Sequence, residues 1–194
     1  MRGPVAPVYV PFLVGARQIR APTRNVVSEG QSRAEPQRRS GEPMNTEQAQ
    51  EPASYLLLRL GSEIYAVPGV SVRGIARWRA LTPVPGAPAG LPGIINQRGF
   101  VMPVVNIHPL LGLPESPPDR ATRYVLIQHD DVDLALLVDS VLDLVELSPT
   151  TFEALPVGLD PQRARFLSSI AHLDDQMLAL LDLSAVIAAL RAGD

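Results

Sequence analysis

The chain has 194 residues, no cysteine, and 17 basic residues against 20 acidic ones, which gives a formal net charge of −3. This length suits one ordinary domain or two small ones. The lack of cysteine excludes disulfides, thiol nucleophiles and cysteine-ligated zinc, and the sequence has no apolar run of about 18 residues, the length that indicates a transmembrane helix.

Residues 1–43 form a basic, proline-rich segment with seven arginines, three glutamates and six prolines. The segment lacks the apolar repeat of a strand or a helix, so it cannot bury enough apolar surface to offset its ordering entropy. We therefore predict a disordered basic N-terminal extension over 1–43, which lies upstream of the natural start if translation begins at Met44. A signal peptide is disfavoured because Pro7 and Pro11 interrupt the apolar stretch Val5–Val14.

Residues 44–194 are predicted to form the folded body. Here ten arginines face seventeen acidic residues, which leaves a formal net charge of −7. Nucleic-acid binding needs a basic footprint, so the composition of the body argues against it. Only the N-terminal extension remains a candidate nucleic-acid arm.

Short strands separated by turn residues account for most of the body. Turns at Gly61-Ser62, Asp130-Asp131 and Asp174-Asp175 predict three β-hairpins. A helical apolar spacing predicts a C-terminal helix over Ser184–Leu190, with Ser184 as its N-cap. The predicted strands are Tyr55–Leu60, Glu63–Val67, Leu91–Asn96, Phe100–Ile107, Tyr124–Gln128, Val132–Val138, the apolar run Val138–Leu147, Phe166–Leu173 and Gln176–Leu181.

The stretch Leu91–Leu113 predicts a hairpin followed by one helical turn. Gly93, inside the first apolar strand, suits a place where another backbone approaches closely. Gln97-Arg98-Gly99 has the composition of a tight connection, so a fixed positive charge is held at the tip of a stiff hairpin, as in surfaces that bind other proteins. His108–Leu111 fits a helical turn that ends at Gly112.

The body also repeats itself faintly. A shift of 69 residues aligns Tyr55 with Tyr124, and a shift of 76 residues aligns Asn106 with Asp182. Both shifts preserve the order of the predicted elements. The repeat therefore predicts two related small barrels that share an apolar interface.

Four motifs carry a resemblance to a known family. The most specific is Gly93–Ile107, which contains the pattern Asn-x-Arg-Gly followed by an apolar strand, and the others are Leu60–Val67, Leu136–Asp139 and Met177–Leu183. Their order resembles that of the CheW family, adaptors of bacterial chemotaxis, from about Ser54 to the C-terminus. The resemblance implies a mainly β fold of two small five-stranded SH3-like β-barrels packed together, with short helices and a C-terminal helix.

The resemblance further implies a non-enzymatic adaptor that couples chemoreceptor cytoplasmic tips to the regulatory domain of a CheA-type histidine kinase. The pathway would be chemotaxis or a chemotaxis-like system such as one governing pili. The protein would lie in the cytoplasm at receptor arrays on the inner face of the membrane, without membrane insertion, cofactor or metal. By motif position, the receptor-binding groove would comprise Val72, Gly93, Asn96, Arg98 and Gly99, with Asn96 holding the turn. The kinase-binding face would comprise Arg73, Gly74, Arg77 and Trp78.

The residues that could carry catalysis form no convincing constellation. The histidines lie in three different predicted elements without metal-ligand spacing, and His108 is predicted to be a capping or surface residue. Carboxylates that follow or interrupt strands are expected to accept hydrogen bonds from turns or helix starts rather than to work in pairs. The residues concerned are His108, His129, His172, Asp139, Asp143 and Asp182.

Two alternatives from other classes remain open. The first is a small-molecule-binding double barrel without a kinase partner, with Trp78 or His172 lining a pocket between the halves. The second is a metal-assisted hydrolase that uses Asp130–Asp133, although this segment lacks the glycine and the distal glutamate of a calcium loop. Trp78 either covers a barrel end or anchors a partner.

Overall fold

The structure is a computed structural model that describes residues 51–88, 90–173 and 176–192. The predicted extension over 1–43, the start at Met44 and the turn Asp174-Asp175 lie outside the described residues. The elements are β1 (Ala53–Leu60), β2 (Glu63–Pro68), β3 (Val72–Arg77), β4 (Gly93–Gln97), β5 (Phe100–Asn106), β6 (Arg123–His129), β7 (Val132–Val138), β8 (Ser140–Leu147), β9 (Phe152–Glu153), α1 (Pro161–Ala164), β10 (Leu167–Leu173), β11 (Gln176–Leu181) and α2 (Leu183–Ala192).

The strands form two sheets, which confirms the mainly β fold. One sheet has five strands in the order β3-β6-β7-β5-β4, and the other has six in the order β8-β1-β2-β11-β10-β9. The sixth strand, β9, contributes only two paired residues beside β10. Most neighbours are antiparallel, but β5 pairs with β7 and β11 pairs with β2 in parallel.

The neighbour order of the two sheets agrees with the internal repeat. Strands β3, β6, β7, β5 and β4 of one sheet occupy the positions of β8, β1, β2, β11 and β10 in the other. Thr82 forms an isolated bridge with Ile94 on β4, where β9 pairs with β10 in the other sheet. Because β3 follows β2 and β8 follows β7, the chain crosses between the sheets twice, and the two halves are intertwined.

The main apolar core lies where the two halves meet. It includes Leu58 and Tyr65 from the six-stranded sheet, Val125 and Leu136 from the five-stranded sheet, and Val186 from α2. These residues are at most 1 % exposed. A fully buried leucine contributes roughly 2 kcal/mol to folding through the hydrophobic effect, so this shared core holds the halves together.

The prediction for the last helix needs a correction. The helix begins at Leu183, and the Oδ1 atom of Asp182 accepts a hydrogen bond from the backbone N–H of Ala185 at 2.9 Å. Asp182 is therefore the N-cap, as an aspartate before a helix commonly is. Ser184, which the sequence favoured for this role, instead places its Oγ 2.8 Å from Nε2 of His129.

The run Val138–Leu147 is not one continuous strand. Asp139 separates β7 from β8, because the chain leaves one sheet and enters the other at this residue. Three further elements were not predicted, namely β3, the two-residue strand β9 and the short helix α1. Helix α1 begins after Asp160, whose carboxylate accepts hydrogen bonds from the backbone N–H groups of Gln162 and Arg163.

Candidate functional site

The tip of the β4–β5 hairpin presents Arg98 to solvent. Gln97 pairs with Phe100, so Arg98 and Gly99 form a two-residue turn, and their φ angles are 53° and 91°. Positive φ at both central positions is the type I′ geometry that matches the twist of a hairpin. The side-chain Oδ1 of Asn96 accepts a hydrogen bond from the backbone N–H of Gly99 at 2.9 Å. Asn96 thus holds the turn, as predicted.

Gly93 sits where two backbones meet. Gly93 is the first residue of β4 and is buried. A Cβ atom built on it would lie 2.3 Å from the carbonyl oxygen of Thr82 and 2.6 Å from Cδ1 of Leu81. Thr82 and Ile94 exchange two backbone hydrogen bonds of 2.9 Å at this point. Because only glycine fits such an approach, the predicted close contact at Gly93 is confirmed.

Two apolar side chains beside the tip were not singled out from the sequence. Phe100 is 73 % exposed and Val101 is 65 % exposed, although both open an otherwise buried strand. Apolar residues placed directly after a turn were the available signal, since a tip extends beyond the core. The guanidinium of Arg98 has no hydrogen bond or ion pair with any described residue, so the tip combines a free charge with exposed apolar area.

The other candidate residues lie on β3 and just after it. Arg73, Ile75 and Arg77 alternate as exposed residues along this edge strand, and Trp78 after it is 39 % exposed. Ile75 was missed, although strict alternation with its neighbours marks it as outward-facing.

The remaining residues of β3 point inward. Val72 is half-buried against the main core. A Cβ on Gly74 would meet only Cδ1 of Leu126, at 3.8 Å, so Gly74 faces the interior of the sheet and leaves room for a methyl group.

The structure divides the predicted site residues between the two edge strands of one sheet. Gly93, Asn96, Arg98 and Gly99 lie together at the β4–β5 hairpin. Val72 begins β3, at the other edge in strand order, next to the residues predicted for the kinase-binding face.

Arg79 connects the two edges. Its Nη2 atom donates to the carbonyl oxygen of Asn96 and to Oε1 of Gln97, the latter at 2.8 Å. Its own carbonyl oxygen accepts a hydrogen bond of 2.8 Å from the hydroxyl of Tyr124. The segment that leaves β3 is therefore fixed to the base of the hairpin.

His108 is only 3 % exposed, so its prediction as a surface residue is wrong. Its backbone N–H donates to Oδ1 of Asn106 at 3.1 Å, and its ring Nδ1 lies 2.9 Å from the same oxygen. Its Nε2 lies 3.3 Å from Oδ2 of Asp139, which also accepts a 2.6 Å hydrogen bond from the backbone N–H of Gly61. This network joins the two sheets and serves the fold.

The remaining carboxylates behave as predicted. Asp143 accepts a hydrogen bond from the backbone N–H of Leu144, and Asp182 caps α2. Within the described ranges, no group of three histidine or acidic side chains could hold a metal ion, and no helix is long and apolar enough to cross a bilayer. Two surface depressions of about 270 Å³ each are lined by neither Trp78 nor His172, so they lend no support to the alternative of a ligand pocket lined by these residues.

These features define a class of protein: a small double-sheet β module that offers exposed edge strands and a charged hairpin tip. The family model described as "CheW-like domain" matches residues 54–191. The chain belongs to the CheW family. This family consists of scaffolding adaptors of chemotaxis and chemotaxis-like systems.

Individual relatives agree with this assignment. The chain is 27 % identical to the chemotaxis protein CheW of Bacillus subtilis over 132 residues, covering 68 % of this chain and 85 % of the relative. It is 31 % identical to a probable chemotaxis protein CheW of Rhizobium etli over 133 residues, covering 68 % and 84 %. Among solved structures, the scaffolding protein TtCheW of Thermoanaerobacter tengcongensis matches with a TM-score of 0.63 at 23 % identity, covering 68 % of this chain and 90 % of that one. The last match supports the fold.

Proposed function

We propose that the protein is a non-enzymatic adaptor that couples the cytoplasmic tip of a chemoreceptor to the regulatory domain of a CheA-type histidine kinase. It acts in the cytoplasm, at receptor arrays on the inner face of the membrane. The carrying observation is the hairpin tip, where Arg98 is held on a rigid type I′ turn without a partner among the described residues.

The receptor would bind at the tip. An arginine beside exposed aromatic and aliphatic side chains has the composition of an interface hot spot, and Phe100 and Val101 supply the apolar part. Asn96 and Gly99 keep the turn in shape, and Gly93 lets the neighbouring segment close beneath it. Because the turn is already ordered, little entropy is lost when a partner binds.

The kinase would bind at the β3 edge. Arg73, Arg77 and Trp78 are exposed there, and Ile75 adds apolar area between the two arginines. Gly74 belongs to the same strand and faces its inner side, and Val72, which begins the strand, would supply an apolar wall of the receptor-binding groove. A single interface on one strand edge would bury a modest area, and repeated contacts within an array would supply the overall binding strength.

The adaptor would transmit a signal without chemistry. A receptor can change kinase output only if the assembly binds two receptor conformations with different free energies. The adaptor therefore needs two surfaces in a fixed relation, and one sheet with both edges tied by Arg79 provides them.

The test is co-sedimentation of the full chain with a kinase regulatory domain and a receptor cytoplasmic hairpin from the same genome. Arg98→Glu is expected to weaken receptor binding by about tenfold or more and to leave kinase binding unchanged. The matched control is Arg191→Glu, because Arg191 is also an exposed arginine without a partner in the described chain but lies at the far end of α2. If no kinase–receptor pair of that genome forms a complex with the chain, the proposal is refuted.

A further inference from the structure

Two arginines face each other across neighbouring strands of the five-stranded sheet. Arg77 on β3 and Arg123 on β6 are direct partners in the antiparallel register. Directly opposed residues share one face of a sheet, with Cβ atoms about 5 Å apart. Like charges in this position are destabilising, so an anion bound over the pair would relieve the repulsion.

Further arginines lie next to this pair. The backbone N–H of Trp78 donates to the carbonyl of Thr122 at 3.4 Å, so the segment after β3 runs beside the segment before β6. These two segments carry what we call the arginine patch, namely Arg77, Arg79, Arg120 and Arg123, with Trp78 among them.

The patch has little internal compensation. Arg79 donates to neutral oxygens of the β4–β5 hairpin, and Arg123 donates to the backbone carbonyls of Arg120 and Thr122. No hydrogen bond or ion pair joins Arg77 or Arg120 side chains to another described residue.

The one acid in these segments is already engaged. Asp119 accepts hydrogen bonds from the backbone N–H groups of Ala121 and Thr122. Those bonds, with a smaller contribution from the charge of Arg123, hold the pKa of Asp119 below its ordinary value. Asp119 thus offsets one charge and closes its own turn, and the patch keeps a net positive charge.

The surroundings of the patch favour a protein partner over a polyanion. Residues 44–194 carry a formal net charge of −7, so a nucleic acid or an anionic membrane that extended past the patch would meet repulsion. A short acidic segment would fit within the patch, so it would gain the attraction of the arginines without repulsion from the rest of the body. Trp78 offers an aromatic face for the apolar neighbours of the carboxylates.

We infer that the arginine patch binds an acidic segment of a protein partner, with its carboxylates over Arg77 and Arg123 and its apolar residues on Trp78. The inference rests on the proposed function in one respect: it names the chemistry by which the β3 edge recognises the kinase. It adds Arg120 and Arg123 to the kinase-binding face, for which the sequence did not single them out.

The direct test uses tryptophan fluorescence. Trp78 is the only tryptophan of the chain, so its emission reports on the patch without a label. The full chain is titrated with a synthetic peptide that alternates glutamate and leucine, and with the same peptide carrying glutamine in place of glutamate. The acidic peptide is expected to change the emission and to bind more weakly as salt is raised. The glutamine peptide is expected to leave the emission unchanged.

Variants assign the response to the patch. The double substitution Arg77→Gln with Arg123→Gln is expected to weaken binding of the acidic peptide about tenfold, whereas Arg191→Gln is expected to leave its affinity unchanged. Equal binding by the double variant, or no response from the wild type, would overturn the inference. A single-stranded oligonucleotide of equal charge that binds as tightly as the peptide would overturn it in favour of a nucleic-acid site.

The same variants separate this inference from the proposed function. If the wild type binds the kinase regulatory domain and the double variant binds it equally, with no peptide response in either, the inference fails and the adaptor proposal stands. If the peptide response depends on the patch but no kinase binds, the inference stands and the kinase assignment fails.

Discussion

Replacing Gly93 by alanine is expected to destabilise the protein by about 2–4 kcal/mol. The added Cβ would lie 2.3 Å from the carbonyl oxygen and 2.9 Å from the carbonyl carbon of Thr82. Both atoms belong to backbone, which cannot rotate away as the end of a side chain can. The segment that holds Leu81 and Thr82 must therefore move outward by about 1 Å to reach ordinary contact.

The magnitude follows from two costs and one smaller gain. Overpacking in a well-packed region costs about 1–3 kcal/mol. The outward movement also breaks or stretches the two backbone hydrogen bonds between Thr82 and Ile94, which are 2.9 Å long and contribute about 1 kcal/mol each. Alanine regains about 0.5 kcal/mol by restricting the unfolded chain. For a body of this size, the loss corresponds to a fall in Tm of roughly 5–15 °C.

Urea unfolding of wild type and variant, followed by circular dichroism, measures this difference directly. The midpoint should fall while the slope m stays constant, since the variant loses stability and keeps its fold. Gly74→Ala is the matched control, because it lies in the same sheet and its Cβ would meet only Leu126, at 3.8 Å. It should stay within about 0.5 kcal/mol of wild type.

Equal stability of Gly93→Ala, Gly74→Ala and wild type would refute the reasoning. That result would mean that Thr82 does not lie against β4. The segment after β3 would then follow a different path, and the connection between the two edges of the sheet would be lost with it.

Three further changes test other parts of the fold. Gly99→Ala, at a φ of 91°, should cost about 1–2 kcal/mol in a thermal melt because side chains avoid this conformation. Asp139→Ala should cost about 2–3 kcal/mol in urea unfolding, since it removes the carboxylate that faces His108 and accepts from the β1–β2 turn. Burial tends to raise the pKa of Glu63, but hydrogen bonds led by Arg163 hold it below its ordinary value of 4.5. Glu63→Gln should therefore lose less than about 1 kcal/mol above that pH, and the gap to wild type should close as pH falls through the lowered pKa of Glu63, which a pH series of melts measures.

The sequence predicted most strands because local signals agreed with the fold. Turns such as Gly61-Ser62 and Asp130-Asp131 marked two hairpins correctly, and Val132–Val138 was predicted with the bounds of β7. The repeat predicted two related halves without any structural information. The prediction of one strand over Val138–Leu147 failed at Asp139, because an apolar run carries no signal for the point at which a chain changes sheets.

The hairpin tip was predictable, and the buried network was not. Glycine next to Arg98 and an asparagine before it indicate a turn through local backbone chemistry alone. The contact of His108 with Asp139 joins residues that lie 31 positions apart, and neither has a neighbour in sequence that points to the other. A histidine after a strand reads as a surface cap until the fold is known.

The same distinction governs the arginine patch. Arg77 and Trp78 stood out from the sequence because they adjoin each other, but Arg123 lies in another strand and gained meaning only from the register of β3 with β6. The contacts of Arg79 bear on how the two proposed binding surfaces would act together. Arg79 follows Trp78 by one residue and donates to the backbone of Asn96, so a partner bound at the β3 edge would contact the segment that fixes the base of the β4–β5 hairpin. Under the proposed function, coupling between receptor and kinase would need no hinge in the adaptor, because one sheet carries both proposed surfaces.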